Sequence, residues 1–174
     1  MRLEEIVAKV LGQHAPVVAI GNPREWFPKL GAHRLYVSDK DWRHRFARLA
    51  AEAELIVLVA SSAAWLAWEL EWIKAHNHSH KLIIVLPPAR HGSGQLVETV
   101  DMLVRIGLRR EDVAGLKDCR VAFLGHGGSL RFVRCEKMGD IAYELALYEV
   151  MRRKLSASHA SRHAAMPGHR HRPA

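Results

Sequence analysis

Two wholly apolar runs separated by one helix-length segment constrain this chain more than anything else in it. Leu55, Ile56, Val57, Leu58 and Val59 form a β-branched run with no polar alternation. Leu82, Ile83, Ile84, Val85 and Leu86 form a second, closed by Pro87 and Pro88. Runs of this kind mark strands buried on both faces of a sheet, and proline ends the second. Between them Leu66, Leu70 and Ile73 recur at helical spacing and form a core face. Ser61 and Ser62 stand where hydroxyls cap a helix. Strand, helix and strand over residues 55–88 predict a parallel pair with a right-handed crossover.

Glu69 sits inside that helix. Trp65, Glu69 and Trp72 are four and three residues apart and share one face. A carboxyl group between indole rings loses water, and its pKa rises into the range of acid and base chemistry. The competing reading of the same spacing is a solvated glutamate beside amphipathic tryptophans, since shifted carboxyl groups mark function only statistically.

The segment Ser61-Ser62-Ala63-Ala64-Trp65-Leu66-Ala67-Trp68-Glu69-Leu70, between its two buried strands, resembles the third strand, third helix and fourth strand of TIR domains. These often carry a serine and then Trp-x-x-x-Glu-Leu at this place. Residues 17–23 (Val-Val-Ala-Ile-Gly-Asn-Pro) and 30–37 also resemble a group of bacterial TIR-like domains, often attached to membrane segments. The resemblance covers roughly residues 15–90. It implies a three-layer, doubly wound, mainly parallel five-stranded sheet of the flavodoxin-like kind. It also implies that Glu69 is the catalytic residue of an enzyme that cleaves NAD. Gly21, Asn22, Pro23, Ser61, Ser62 and Trp65 would then line the substrate pocket, with Trp65 packing on a base. The chain departs from the family between its first two strands, where the link is short for a crossover helix.

In chain order, the pattern predicts a helix over 2–13, a strand over 17–20 and a strand over 34–38. Gly21, Asn22 and Pro23 fall at the carboxyl end of the first strand, where open parallel sheets bind ligands. They are equally good turn chemistry. Asp41 is placed to cap a helix whose stripe is Phe46, Leu49, Ala50 and Ala53. Arg43, His44, Arg45 and Arg48 look outward from it. Leu96, Val100, Leu103 and Ile106 mark a further helix, 119–124 the fifth strand and 130–134 an alternating edge strand. A last helix over 140–155 carries Ile141, Leu145, Tyr148 and Met151 or Arg152 as its stripe. Residues 156–174, rich in His, Ser, Arg and Ala, lack periodicity and read as a disordered tail, leaving 1–155 as one α/β domain.

Hydrophobic content of 49% and charged content of 25% in 174 residues suit one soluble domain. No run is long enough to span a bilayer, and a cytoplasmic location is expected. Of the net +8, Arg162, Arg170 and Arg172 lie in the acid-free tail, leaving +5 for the domain. That balance permits an anionic nucleotide without pointing to nucleic acid. Cys119 and Cys135 lack metal or redox spacing, and His76, His78 and His80 have no neighbouring carboxylate or thiol, so no metal is expected. No cofactor is implied, NAD being a substrate. The alternative to catalysis is a signalling or scaffold module that self-associates or binds a protein partner, with Trp26, Trp42 or Trp68 as exposed anchors.

Overall fold

The computed structural model describes residues 3–21, 32–38, 40–61, 64–87, 100, 101, 104, 119–124, 129–136 and 139–164, the last stretch from 155 as backbone alone. Its elements are α1 (Leu3–Leu11), β1 (Val18–Gly21), β2 (His33–Tyr36), α2 (Trp42–Glu52), β3 (Ile56–Val59), α3 (Ala64–Ala75), a 3-10 turn (Ser79–Lys81), β4 (Leu82–Val85), β5 (Cys119–Leu124), β6 (Leu130–Arg134) and α4 (Asp140–Ala164). Val100, Asp101 and Val104 are helical.

The two apolar runs pair in parallel, with Ile56 beside Leu82 and Val59 beside Val85. Four strands form one sheet in the order β3-β4-β5-β6, and β1 and β2 pair in parallel as a separate ladder. The expectation of a mainly parallel five-stranded sheet meets a difference here. β5 runs antiparallel to β4 and β6 antiparallel to β5. An apolar strand is marked as buried by its composition, but its direction depends on the route of the preceding connection. The coarser expectation holds: this is a mixed α/β sheet with helices on both faces.

The alternation of side chains along each strand sends them into two cores. Ile56, Leu58, Leu82, Ile84 and Ala122 pack with Phe46 of α2 and with Leu66, Leu70 and Ile73 of α3. Ile83, Val85, Val121, Phe123 and Val133 pack with Ile6 and Val10 of α1 and with Tyr143, Leu147 and Val150 of α4. A register shift between Cys119 and Val121 changes the phase of β5, so Cys119 joins Ala122 in the first core. The Tyr143 hydroxyl donates to the Leu86 carbonyl at 2.8 Å, tying α4 to the end of β4. Arg34 of β2 reaches Glu4 of α1 at 3.1 Å and Lys9 reaches Glu144 of α4 at 2.7 Å.

Three local expectations change. The Asp41 side chain does not cap α2; its carboxylate accepts from the Ser38 hydroxyl at 2.6 Å. The buried stripe of α4 is Ala142, Tyr143, Ala146, Leu147, Val150 and Met151, while Ile141 and Leu145 are about half exposed. Alanines at 142 and 146 let α4 lie close to its neighbours, and this turns the larger residues at 141 and 145 outward. The helix also continues past 155 to Ala164. Residues 156–164 hold no glycine or proline, and extending a formed helix needs no new nucleus.

Candidate functional site around Glu69

α3 begins just beyond the carboxyl end of β3. Ala60 extends the ladder by donating to the Val85 carbonyl at 2.9 Å, half-buried Ser61 follows, and the helix starts at Ala64. Successive residues turn by about 100° along it. Leu66, Leu70 and Ile73 therefore point at the sheet, and each is 1% exposed or less. Trp68 and Trp72 point towards α2. Trp68 meets Trp42 at 5.0 Å and Phe46 at 5.9 Å, and Trp72 meets Phe46 at 5.8 Å, all edge to face. Arg43 lies over both Trp42 and Trp68 at 5.7 and 5.2 Å. Trp42 and Trp68 are thus half-buried mortar between α2 and α3, which corrects their expected role as exposed anchors. Trp26 lies outside the described residues.

Glu69 falls in the angular gap between these two stripes. It is only 7% exposed, and it is the buried charged residue among those described. Its Oε2 is buried and makes no hydrogen bond with any described residue. Loss of water pushes its pKa from 4.5 up to about 8. At neutral pH the group therefore keeps its proton. It can donate one hydrogen bond, and a positive charge arriving beside it would favour the anion by offsetting the missing water.

Trp65, one turn before Glu69 on the same stripe, is 52% exposed. It stands beyond the reach of the aromatic packing against α2. Of the residues expected to surround the glutamate, Ser61 is at the exit of β3, and Gly21 ends β1 in the other ladder, opposite Tyr36. Asn22, Pro23 and Ser62 lie outside the described residues. Trp65 and Glu69 share a face of α3, one turn apart.

Two of the histidines after α3, His76 and His78, lie against Trp72. The His76 ring lies 4.0 Å from that of Trp72, and its Nδ1 is 2.8 Å from the Trp72 carbonyl. His80 Nδ1 is 2.9 Å from the Asn77 carbonyl, at a turn where Asn77 takes a left-handed φ of 59°. Among the described residues, no three His, Cys, Asp or Glu side chains are grouped to hold a metal.

One feature escaped the sequence reading. A shallow, open depression of about 520 Å³ is lined by Leu130, Arg131, Phe132 and Arg134 of β6 and by Arg153 of α4. It lies on the strand furthest from β3 in the sheet order. Its sequence signal was the alternation of Leu-Arg-Phe-Val-Arg at 130–134, which reads as an edge strand without revealing a cavity.

Comparison with family models, curated proteins and solved structures finds no match to this chain. No helix among the described residues is long and apolar enough to cross a membrane.

Proposed function

We propose that this chain is a TIR-like domain that binds NAD or a related nucleotide and cleaves it at the N-glycosidic bond, with Glu69 as the catalytic group. The observation that carries the reading is the buried Glu69 carboxyl, whose Oε2 has no partner among the described residues, on the same helix face as exposed Trp65. A buried polar oxygen without a partner costs about 1 to 3 kcal/mol, and folds tolerate such costs most often at functional sites. Nicotinamide in NAD is a cationic ring, and the ribose left behind as it departs is also cationic. Either charge beside Glu69 would favour its ionised form, which would then stabilise the oxocarbenium-like ribose. The bond between the ribose carbon and the ring nitrogen breaks, its electron pair leaves with nicotinamide, and water supplies the hydroxyl that replaces it while its remaining proton is released to solvent.

In this reading Gly21, Asn22, Pro23, Ser61 and Ser62 border the nucleotide, and Trp65 packs on a base. β1 would lie beside β3, giving the flavodoxin-like order β2-β1-β3-β4-β5 with β5 reversed. Val17 packs on the same core as Leu55, Val57 and Val59, in support of that neighbourhood.

The test is nicotinamide release from NAD at high protein concentration. Wild type should release it and Glu69→Gln should not. Titrating NAD by calorimetry in two buffers of different ionisation enthalpy should show proton release at pH 7 in wild type alone. Equal turnover by both proteins would remove Glu69 from the chemistry.

A second reading, a scaffold that assembles with itself or a protein partner, is favoured by a separate observation. Val18 and Ile20 project from the same face of β1 and are 45% and 37% exposed. Absence of turnover and nucleotide binding, with concentration-dependent self-association lost in Val18→Asp, would decide for it.

A further inference from the structure

We propose that the outer edge of β6 takes up an extended acidic peptide segment as an added strand of the four-stranded sheet. Neighbours along a strand point to opposite faces. Arg131 and Phe132 are such neighbours, yet both line the same hollow, together with Leu130 and Arg134. A hollow touched by both faces of one strand must run along its edge. The inner edge of β6 is taken by β5, with Leu124 beside Leu130 and Phe123 beside Arg131. Among the described residues no strand pairs with the outer edge.

An edge of this kind presents a row of backbone donors and acceptors that another strand can complete. The side chains around it select the partner's charge. Arg131, Arg134 and Arg153 surround the hollow, while Leu130 and Phe132 give it an apolar floor. Arg153 already bonds Glu149 through Nε at 2.6 Å, but a guanidinium has further N–H donors to offer. Arginine forks suit carboxylates in a fixed geometry.

Charge on an edge strand also guards against self-pairing, and this argues about the occupant. Antiparallel pairing of two copies through β6 would bring Arg131 and Arg134 of both into one ladder, and like charges there repel. A second copy is therefore disfavoured and an acidic strand favoured. The apolar floor goes beyond what a guarding charge requires. A nucleic acid would need a longer basic track with rings for the bases to stack on, and β6 supplies a five-residue edge.

The probe is a short fluorescein-labelled peptide of alternating Val and Asp, added to the full chain and read by fluorescence polarisation. The acidic peptide should bind, and a Val-Lys counterpart should not. Methylating alternate backbone nitrogens of the acidic peptide removes donors without changing charge, and should weaken binding by about ten-fold or more. Arg131→Glu should weaken it comparably, and Arg131→Lys should retain most of it. Arg131 is exposed, so both variants should fold, as circular dichroism would verify. Four results would overturn the proposal: no binding, equal binding of the methylated peptide, tighter binding of a single-stranded oligonucleotide, or β6-mediated dimers of the chain itself. The first two of these leave the Glu69 reading untouched, because nicotinamide release is measured separately.

Discussion

Replacing Glu69 with glutamine should change how stability depends on pH, and the structure sets the sign. In the unfolded chain the carboxyl ionises near its ordinary 4.5; in the folded chain burial holds the proton until about 8. Between those values the folded state binds the extra proton, so stability falls as pH rises. Below 4.5 both states are protonated and the carboxyl adds no pH dependence. Above about 8 both are ionised and the penalty is complete. Each tenfold change in acid dissociation constant is worth about 1.4 kcal/mol. Wild type should therefore lose about 3 kcal/mol from this group between pH 5 and 7, with a ceiling of about 5 kcal/mol above pH 8. Glutamine keeps the shape and cannot ionise, so the Glu69→Gln curve lacks this component. The assay is urea unfolding of both proteins from pH 5 to 9, read as the difference between them, which cancels titration of groups they share. Glu69→Gln should gain on wild type steadily up to pH 8. Two parallel curves would mean that the carboxyl is solvated or paired in solution, and the account of its burial would fail.

Leu58→Ala should cost about 2 to 5 kcal/mol in denaturant unfolding, because Leu58 is 7% exposed in the core against α2 and α3; a change near zero would place β3 at the surface. Tyr143→Phe should cost about 1 to 2 kcal/mol, since it strips the Leu86 carbonyl of its buried donor; hydrogen exchange near residue 86 should quicken, and an unchanged stability would show that water replaces the hydroxyl.

What the sequence made legible follows from which signals are local. The core stripe Leu66, Leu70 and Ile73 was readable because three large apolar residues at helical spacing have one way to hide. The same rule misled on α4. Ile141 and Leu145 are large, but a helix pressed against α1 and the sheet turns its small residues inward. The choice depended on neighbours that periodicity does not see. Asp41 had the right residue type for a cap, but Ser38 offered its carboxylate a nearer donor. The direction of β5 was invisible because it depends on the route of the preceding connection, which the strand's own composition does not record. The Trp65-x-x-x-Glu69 spacing showed that the carboxyl neared indoles. It did not show that the carboxyl is only 7% exposed, because burial depends on neighbours distant in sequence that helical spacing does not record.

The same burial limits how any ligand could reach Glu69. On the sheet side Leu66, Leu70 and Ile73 are sealed. On the α2 side the rings of Trp42, Phe46, Trp68 and Trp72 interlock, with Arg43 laid over two of them. Towards the end of α3, Trp72 is stacked by His76. Among the described residues, the side left uncovered is the first turn, where Trp65 is half exposed and Ser61 leads out of β3. If the nucleotide reading holds, entry beside Trp65, along the carboxyl end of β3, is the route these described residues leave. Substitutions on the Trp68 side would alter stability without altering access. This separates the two roles of the tryptophans on α3: Trp68 and Trp72 hold α2 against the helix, and Trp65 is the one with a free face to offer.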